Sequence, residues 1–356
     1  RACLEGFLSG GVFVRQIPWM AKFFSWRGSL SNGIPFLSDS ADKLNIVYSK
    51  GREEILGPFR YDKRPHALPV FREIWEWIIE ERSMETKALF FDIDGTLVNQ
   101  KGVFLDSAKR ALKRARENGH KLLLSTGRNF AQIYPQLIDF GFDGYVCAAG
   151  AYVKCDGNLI YHEKMKEEEL KPLTDFFLAH DIMVGLQVED GSYVTPRGLK
   201  QIREGFKKLG ISGGNMDSVL EGVHVVDNFD RVKGVEKLFY NWADVTVDEL
   251  ADQTSDYFSV LPASFADVMD QYSGEITIRG ITKARGMERA LAYYGIDREN
   301  SVGFGDAFND LEMMEYAGIG VAMGNARDEV KEAADYVTDH IDRDGIAKAV
   351  EKLGLA

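Results

Sequence analysis

Short apolar runs and helical apolar stripes alternate along much of this chain. Ala88-Leu-Phe-Phe91 is a short, aromatic-rich run bounded by turn residues, which predicts a buried strand. From Asp106 to Gly119, Ala108, Ala111, Leu112 and Ala115 line one helical face, with Asp106 expected as the N-cap and Asn118-Gly119 closing the helix. Lys121 to Leu124 reads as the next strand, and such a strand, helix, strand unit should connect right-handedly with its strands parallel. The rhythm resumes at Glu275-Ile-Thr-Ile-Arg279 and runs through a helix from Lys283 with Met287, Ala290, Leu291 and Tyr294 on one face. It continues with strands at Ser301–Gly305, Gly318–Met323 and Tyr336–Thr338, with a helix from Asp328 to Ala334 before the last. The pattern predicts an α/β fold with a parallel, Rossmann-like sheet.

Two stretches depart from this rhythm. From about Lys166 to Tyr272, helices at Lys166–His180, Leu199–Leu209 and Thr246–Gln253 mix with short strands at Met183–Val188, Val223–Val226 and Phe258–Val260, which predicts an inserted α+β domain. The expected partition is therefore 84–165 and 273–356 for the α/β core and 166–272 for the insertion, leaving the core after a Gly157-containing hairpin and returning near Ser273-Gly274. Residues 1–83 carry four of the five tryptophans and no interpretable motif, and only Leu68–Arg82 reads as a firm helix. Met84 is a plausible start for the α/β part, so 1–83 reads as an extension of unknown role.

Composition narrows the function classes. At 356 residues, with 45% hydrophobic and 28% charged positions, the chain is long enough for two or more globular domains. A net charge of −12 argues against nonspecific nucleic-acid binding, which needs a basic face. Three cysteines, Cys3, Cys147 and Cys155, make no disulfide framework and have no metal-site spacing, so a reducing cytoplasm is the expected location. Arg15, Lys22 and Arg27 interrupt the N-terminal apolar region, so no membrane span is expected. The six histidines do not cluster, and His120, His162 and His224 read as structural or surface residues.

The chemistry lies where the strands end. Asp92-Ile-Asp94-Gly95-Thr96 follows the first strand, at the sheet edge where open α/β folds bind ligands. An isolated Asp-Gly after a strand is usually a turn. A calcium loop does not fit, because its sixth position is Leu97 rather than Gly and its twelfth Val103 rather than Glu. Further along come Ser125-Thr126-Gly127-Arg128, then Lys283, then Asp306-Ala-Phe-Asn309-Asp310. Gly303-x-Gly305 lacks the third glycine of a dinucleotide-binding loop, since Phe308 stands there.

These four motifs, in this order and with a cap-sized insertion between the second and third, resemble the haloacid dehalogenase superfamily, in its Cof-like phosphatase branch. The resemblance runs from about Lys87 to the C-terminus and includes Val321-Ala-Met-Gly-Asn325-Ala and Asp344-Gly345. It implies a Mg²⁺-dependent phosphatase of small phosphorylated metabolites (sugar phosphates, nucleotides, or the flavin mononucleotide and pyridoxal phosphate type), as a monomer or homodimer. Asp92 is then the nucleophile and Asp94 the general acid and base. Asp92, the Asp94 carbonyl and Asp306 hold the metal, with Asp310 either a ligand or orienting a metal-bound water or Asp306. Thr126, Gly127, Lys283 and Asn309, with the backbone N–H groups around Asp94 to Thr96, Gly95 and Thr96 among them, bind the phosphoryl group or substrate. One departure is visible: where relatives often carry Asn-Gly-Ala, this chain has Ala148-Ala149-Gly150-Ala151. The alternatives are a phosphomutase, which shares the aspartyl-phosphate, and an inactive regulatory protein that keeps the fold.

Overall fold

The structure is a computed structural model that describes residues 85–208, 220, 222–263 and 271–356, with the backbone alone at 206, 208, 34–40, 43–50 and 53–59. The chain divides into two compact units after Ser83. In the first, β1 (Ile34–Ser40), β2 (Lys43–Lys50) and β3 (Glu53–Phe59) form an antiparallel meander with Phe36 opposite Val47 and Val47 opposite Leu56. Pro35, Gly57 and Pro58 blur any strand signal in this stretch. The helix expected at Leu68–Arg82 lies outside the described residues.

The second unit begins with β4 (Ala88–Phe91) and β5 (Lys121–Ser125), followed by β6 (Gly144–Cys147), β7 (Tyr152–Cys155) and β8 (Asn158–His162). After the insertion come β15 (Ser301–Gly305), β16 (Ile319–Ala322) and β17 (Tyr336–Val337). These eight strands form one sheet in the order β17-β16-β15-β4-β5-β6-β7-β8, parallel from β17 to β6 and antiparallel beyond. From β4 the chain builds outward through β5 on one side, while β15 lies on the other. Strand β4 therefore sits where the winding reverses, and a crevice opens at its carboxyl end.

All four β4 residues are buried because both faces of the sheet are covered. Leu89 and Phe91 pack with Leu122, Leu124 and Phe304 toward helices Asp106–Glu117 and Gly345–Lys352. Ala88 and Phe90 pack with Leu123 and Val146 toward Met287, Ala290 and Leu291 of helix Lys283–Tyr294. Phe91 stacks on Phe304 with centroids 4.6 Å apart, which pins β4 against β15 just before both strands end in aspartates. The N-cap of the first helix is Leu105, not Asp106, and it makes no side-chain cap bond. Asp106 is the first helical residue, where its charge meets the positive helix end and Lys109 at 3.2 Å.

The insertion carries β9 (Met183–Val188), β10 (Gly191–Val194), β11 (Val223–Val225), β12 (Lys237–Asn241), β13 (Phe258–Pro262) and β14 (Gly274–Ile278) in a sheet ordered β11-β10-β9-β12-β14-β13. Strand β14, expected to open the returning core, pairs between β12 and β13 instead. The return to the eight-stranded sheet therefore falls after Ile278, not near Ser273. Alternation divides the two faces. Leu186, Leu238, Ile276 and Val260 lie opposite one another across four strands and pack under helices Glu167–Ala179 and Val247–Thr254. The opposite face presents the row Ser192, Gln187, Lys237, Thr277, Ser259 across five strands. The second of these helices starts with a full capping box between Thr246 and Glu249.

Candidate active site

Parallel pairing of β4 with β5 and β15 brings three strand ends together. Asp92 follows β4, Thr126 follows β5 and Asp306 follows β15. The Asp92 N–H donates to the Phe304 carbonyl at 2.9 Å, which extends the ladder by one rung and leaves the side chain at the crevice. Asp92, Asp306 and Asp310 each place a carboxylate oxygen within 4.8 Å of the others. Lys283, the first residue of its helix, reaches Asp92 Oδ1 at 2.6 Å and Asp310 Oδ1 at 2.5 Å, with its side chain only 1% exposed.

Electrostatics follow from that crowding. Burial pushes the Asp92 carboxyl well above the usual carboxylate range, Lys283 pulls it back, and the charges of Asp310, Asp306 and Asp94 push it up again. Asp306 is pushed up to about 7, by burial first and Asp310 next. Burial opposes the Lys283 charge, but Asp310 and Asp92 more than offset it, and its pKa is raised. One cation thus serves three carboxylates. A hard divalent cation fits this set, because the donors are carboxylate oxygens and one ammonium leaves two of the three formal negative charges uncompensated.

The turn after β4 is built for closeness. Gly95 has φ +90°, and a Cβ there would lie 2.1 Å from Asp306 Oδ2, so no side chain is tolerated. Its carbonyl accepts from Asn325 Nδ2 at 2.8 Å, and Asn325 Oδ1 accepts from the Ile341 N–H at 3.0 Å. Thr96 Oγ1 donates to Asp306 Oδ1 at 2.9 Å. The N–H groups of Gly95 and Thr96 turn inward to the carbonyls of Val98 and Ile93, so these two amides do not form the anion site expected of them. Asp310 Oδ2 accepts from the N–H groups of Asp306 and Ala307, both at 3.0 Å, and so fixes the loop that carries Asp306.

Asp94 lies outside the three-carboxylate group. Its carboxylate is held by Arg128, Nε to Oδ2 at 2.6 Å and Nη2 to Oδ1 at 2.9 Å, and by the Tyr134 hydroxyl at 3.0 Å. Arg128 also lies over the Tyr134 ring, 4.2 Å from its centroid, and donates to the Gln132 carbonyl. Thr126 is buried, and its Oγ1 accepts from the Arg128 N–H at 3.1 Å. A Cβ built on Gly127 would meet Lys237 Nζ at 3.1 Å and Asn309 Nδ2 and Glu275 Oε2 at 3.6 Å. Every expected site residue therefore falls in one region, with Asp94 turned to a partner on the loop after β5.

Arg128, Tyr134, Lys237, Glu275 and Asn325 were not among the expected site residues. Arg128 follows Thr126-Gly127 directly and Asn325 sits in a segment already notable for the resemblance, so both had a local signal. Lys237 heads an apolar run, Lys237-Leu-Phe-Tyr240, and nothing nearby in sequence marks it as a site residue. The same loop after β5 also docks the insertion. Asn129 Nδ2 donates to the carbonyls of Val188 and Gly191, and Gln132 Oε1 accepts from Ser192 Oγ at 2.8 Å. Among the described residues no helix is long and apolar enough to cross a membrane.

Comparison with known proteins agrees with this architecture. The family model of haloacid dehalogenase-like hydrolases matches residues 89–350. The pyridoxal phosphate phosphatase YbhA of Escherichia coli is 30% identical over 278 residues, covering 75% of this chain and 98% of that protein. The 5-amino-6-(5-phospho-D-ribitylamino)uracil phosphatase YitU of Bacillus subtilis is 28% identical over 299 residues, covering 76% and 98%. The solved structure of the subclass IIB sugar phosphatase BT4131 superposes with a TM-score of 0.63 at 30% identity, covering 76% of this chain and all of that one. The chain belongs to the haloacid dehalogenase-like hydrolases, in their Cof-like phosphatase branch.

Proposed function

We propose that this phosphoric monoester hydrolase is a Mg²⁺-dependent phosphatase of small phosphorylated metabolites that works through an aspartyl-phosphate on Asp92. The observation that carries the reading is Lys283 set between Asp92 and Asp310 beside Asp306, at the carboxyl end of the central strand. Bound at Asp92, Asp306 and the Asp94 carbonyl, with Asp310 behind, Mg²⁺ would screen the repulsion between a carboxylate nucleophile and a phosphate dianion.

The chain's own groups supply the rest. An Asp92 oxygen forms a bond to phosphorus as the bond from phosphorus to the leaving oxygen breaks. Asp94 delivers a proton to that oxygen, and later takes one from the water whose attack on phosphorus releases inorganic phosphate and restores Asp92. In this reading Arg128 and Tyr134, which donate to the Asp94 carboxylate, orient it for both tasks. Lys283 opposes the effect of burial on the Asp92 carboxyl, favouring its charged form, and offers charge to the phosphoryl oxygens, together with Thr126 and Asn309.

The test is release of inorganic phosphate from p-nitrophenyl phosphate and a metabolite panel, with Mg²⁺ and with EDTA. Asp92→Asn removes the nucleophile at nearly constant volume and is expected to abolish turnover without loss of fold. Wild-type turnover in that variant overturns the assignment. Formation of an isomeric phosphate ester without phosphate release would instead identify a phosphomutase.

A further inference from the structure

The turn after β4 hinges on a residue with little restraint of its own. Lacking a Cβ, Gly95 adopts φ +90° at low cost, but no side chain of its own holds it there. Its setting matters all the same. The peptide before it carries the Asp94 carbonyl, which in the reading above binds the cation. The peptide after it leads to Thr96, whose Oγ1 donates to Asp306 Oδ1 at 2.9 Å. The turn also passes so close to Asp306 that a Cβ on Gly95 would lie 2.1 Å from Oδ2. A rotation at Gly95 therefore moves one proposed ligand and disturbs a second.

Two hydrogen bonds supply the restraint. The Gly95 N–H donates to the Val98 carbonyl at 2.9 Å, which fixes the peptide shared with Asp94. The Gly95 carbonyl accepts from Asn325 Nδ2 at 2.8 Å, which fixes the peptide shared with Thr96. The first bond is local to the turn. The second comes from 230 positions away, on the loop after β16. Asn325 is itself held, because its Oδ1 accepts from the Ile341 N–H at 3.0 Å. Its amide therefore has one orientation, oxygen toward a donor and nitrogen toward an acceptor. The loop that bears it is tied back to β15, since the Met323 N–H donates to the Gly305 carbonyl at 3.0 Å, one residue before Asp306. Asn325 thus links the turn after β4 to the end of β15, the two segments that carry the Asp94 carbonyl and Asp306.

We propose that Asn325 is a positioning residue for the divalent cation: by holding the Gly95 carbonyl it sets the Asp94 carbonyl against Asp306, and so sets cation affinity from outside the ligand set. The proposal rests on the metal-dependent phosphatase reading above and deepens it. Residues that orient metal ligands are worth about 10- to 100-fold in metal affinity. Asn325→Asp isolates the contact, because it keeps the volume and the acceptor for Ile341 and replaces only the donor to Gly95, with an oxygen that repels the carbonyl. Asn325→Ala removes both bonds.

The experiment measures two Mg²⁺ concentrations in the wild type and both variants. One gives half the maximal gain in Tm without substrate, and the other half the maximal rate of phosphate release from p-nitrophenyl phosphate. Both are expected to rise by about 10- to 100-fold in each variant, with saturating Mg²⁺ restoring kcat to within about threefold of wild type. A folded variant whose two Mg²⁺ concentrations stay within about threefold of wild type would overturn the proposal. So would a loss of kcat that saturating Mg²⁺ does not restore. Melts in EDTA read the purely structural cost separately, and if neither variant folds, Asn325 serves the scaffold and the proposal falls. A wild type that releases phosphate equally well in EDTA would remove the metal-dependent reading, and one that releases none would remove the phosphatase reading, the proposal falling with either.

Discussion

Replacing Lys283 by Met tests the electrostatic design of the site most directly. Methionine nearly matches the lysine stem in volume, so the perturbation is loss of charge and donors with little cavity. The structure supplies the stakes: contacts of 2.6 Å to Asp92 and 2.5 Å to Asp310 vanish, and three carboxylates within 4.8 Å of one another keep no cation. Removing one partner of a buried pair costs about 3–5 kcal/mol. With urea m-values of about 2–3 kcal/mol/M, that lowers the unfolding midpoint by about 1–2.5 M.

The loss should depend on pH with a defined sign. Without the ammonium, which lowers it, the Asp92 carboxyl, already raised by burial, is pushed higher still in the folded state relative to the unfolded chain. The folded variant then binds more protons than its unfolded chain, and its stability falls as pH rises. The gap to wild type should therefore be larger at pH 8 than at pH 5. The assay is urea unfolding by far-ultraviolet circular dichroism at both pH values in EDTA, then with Mg²⁺, which is expected to narrow the gap. Midpoints at pH 8 within about 0.3 M of wild type, or a gap independent of pH, would refute the reasoning.

Three further outcomes are expected. Gly95→Ala drives a Cβ to 2.1 Å from Asp306 Oδ2 in a φ +90° conformation, and should cut kcat by about 100-fold or more and weaken the gain in Tm on adding Mg²⁺, read by activity and melting together. Burial, with Glu189 assisting and Lys164 opposing, pushes Glu236 up to about 8 from its ordinary 4.5. Its contribution to stability is therefore full below that window and lost as pH climbs from 4.5 to 8. Glu236→Gln, which keeps a polar partner for His162 Nε2, should flatten this slope by up to about 1.4 kcal/mol per pH unit, measured by urea midpoints from pH 5 to 8. Ala149 sits at φ 56°, where a Cβ costs about 1–2 kcal/mol, so Ala149→Gly should raise Tm by about 1–3 °C once the looser unfolded chain is allowed for. An unchanged or lower Tm would show that the loop is not strained there.

What could be read from the sequence is what depends on neighbours in the chain. The strand at Ala88–Phe91 and the helix face of Ala108, Ala111, Leu112 and Ala115 are local periodicities, and they stand in the structure as read. Asp92, Thr126 and Asp306 were legible because strand ends of a parallel sheet share one edge, so a motif's place along the chain predicts its place in the fold; Lys283 instead heads a helix that follows a strand of the inserted sheet, and its place in the ordered set of motifs is what marked it. Tertiary structure alone decided what depends on pairing. The run Glu275-Ile-Thr-Ile-Arg279 is alternating and apolar enough to suit either sheet, and only hydrogen bonds to β12 and β13 put it in the inserted one. The turning of Asp94 toward Arg128, the inward amides of Gly95 and Thr96, and the meeting of Lys237 with Glu275 likewise join residues through space. A side chain's charge is written in the sequence, but the dielectric around it and the partner it faces are set by chain segments dozens of residues away, and those decide what the charge can do.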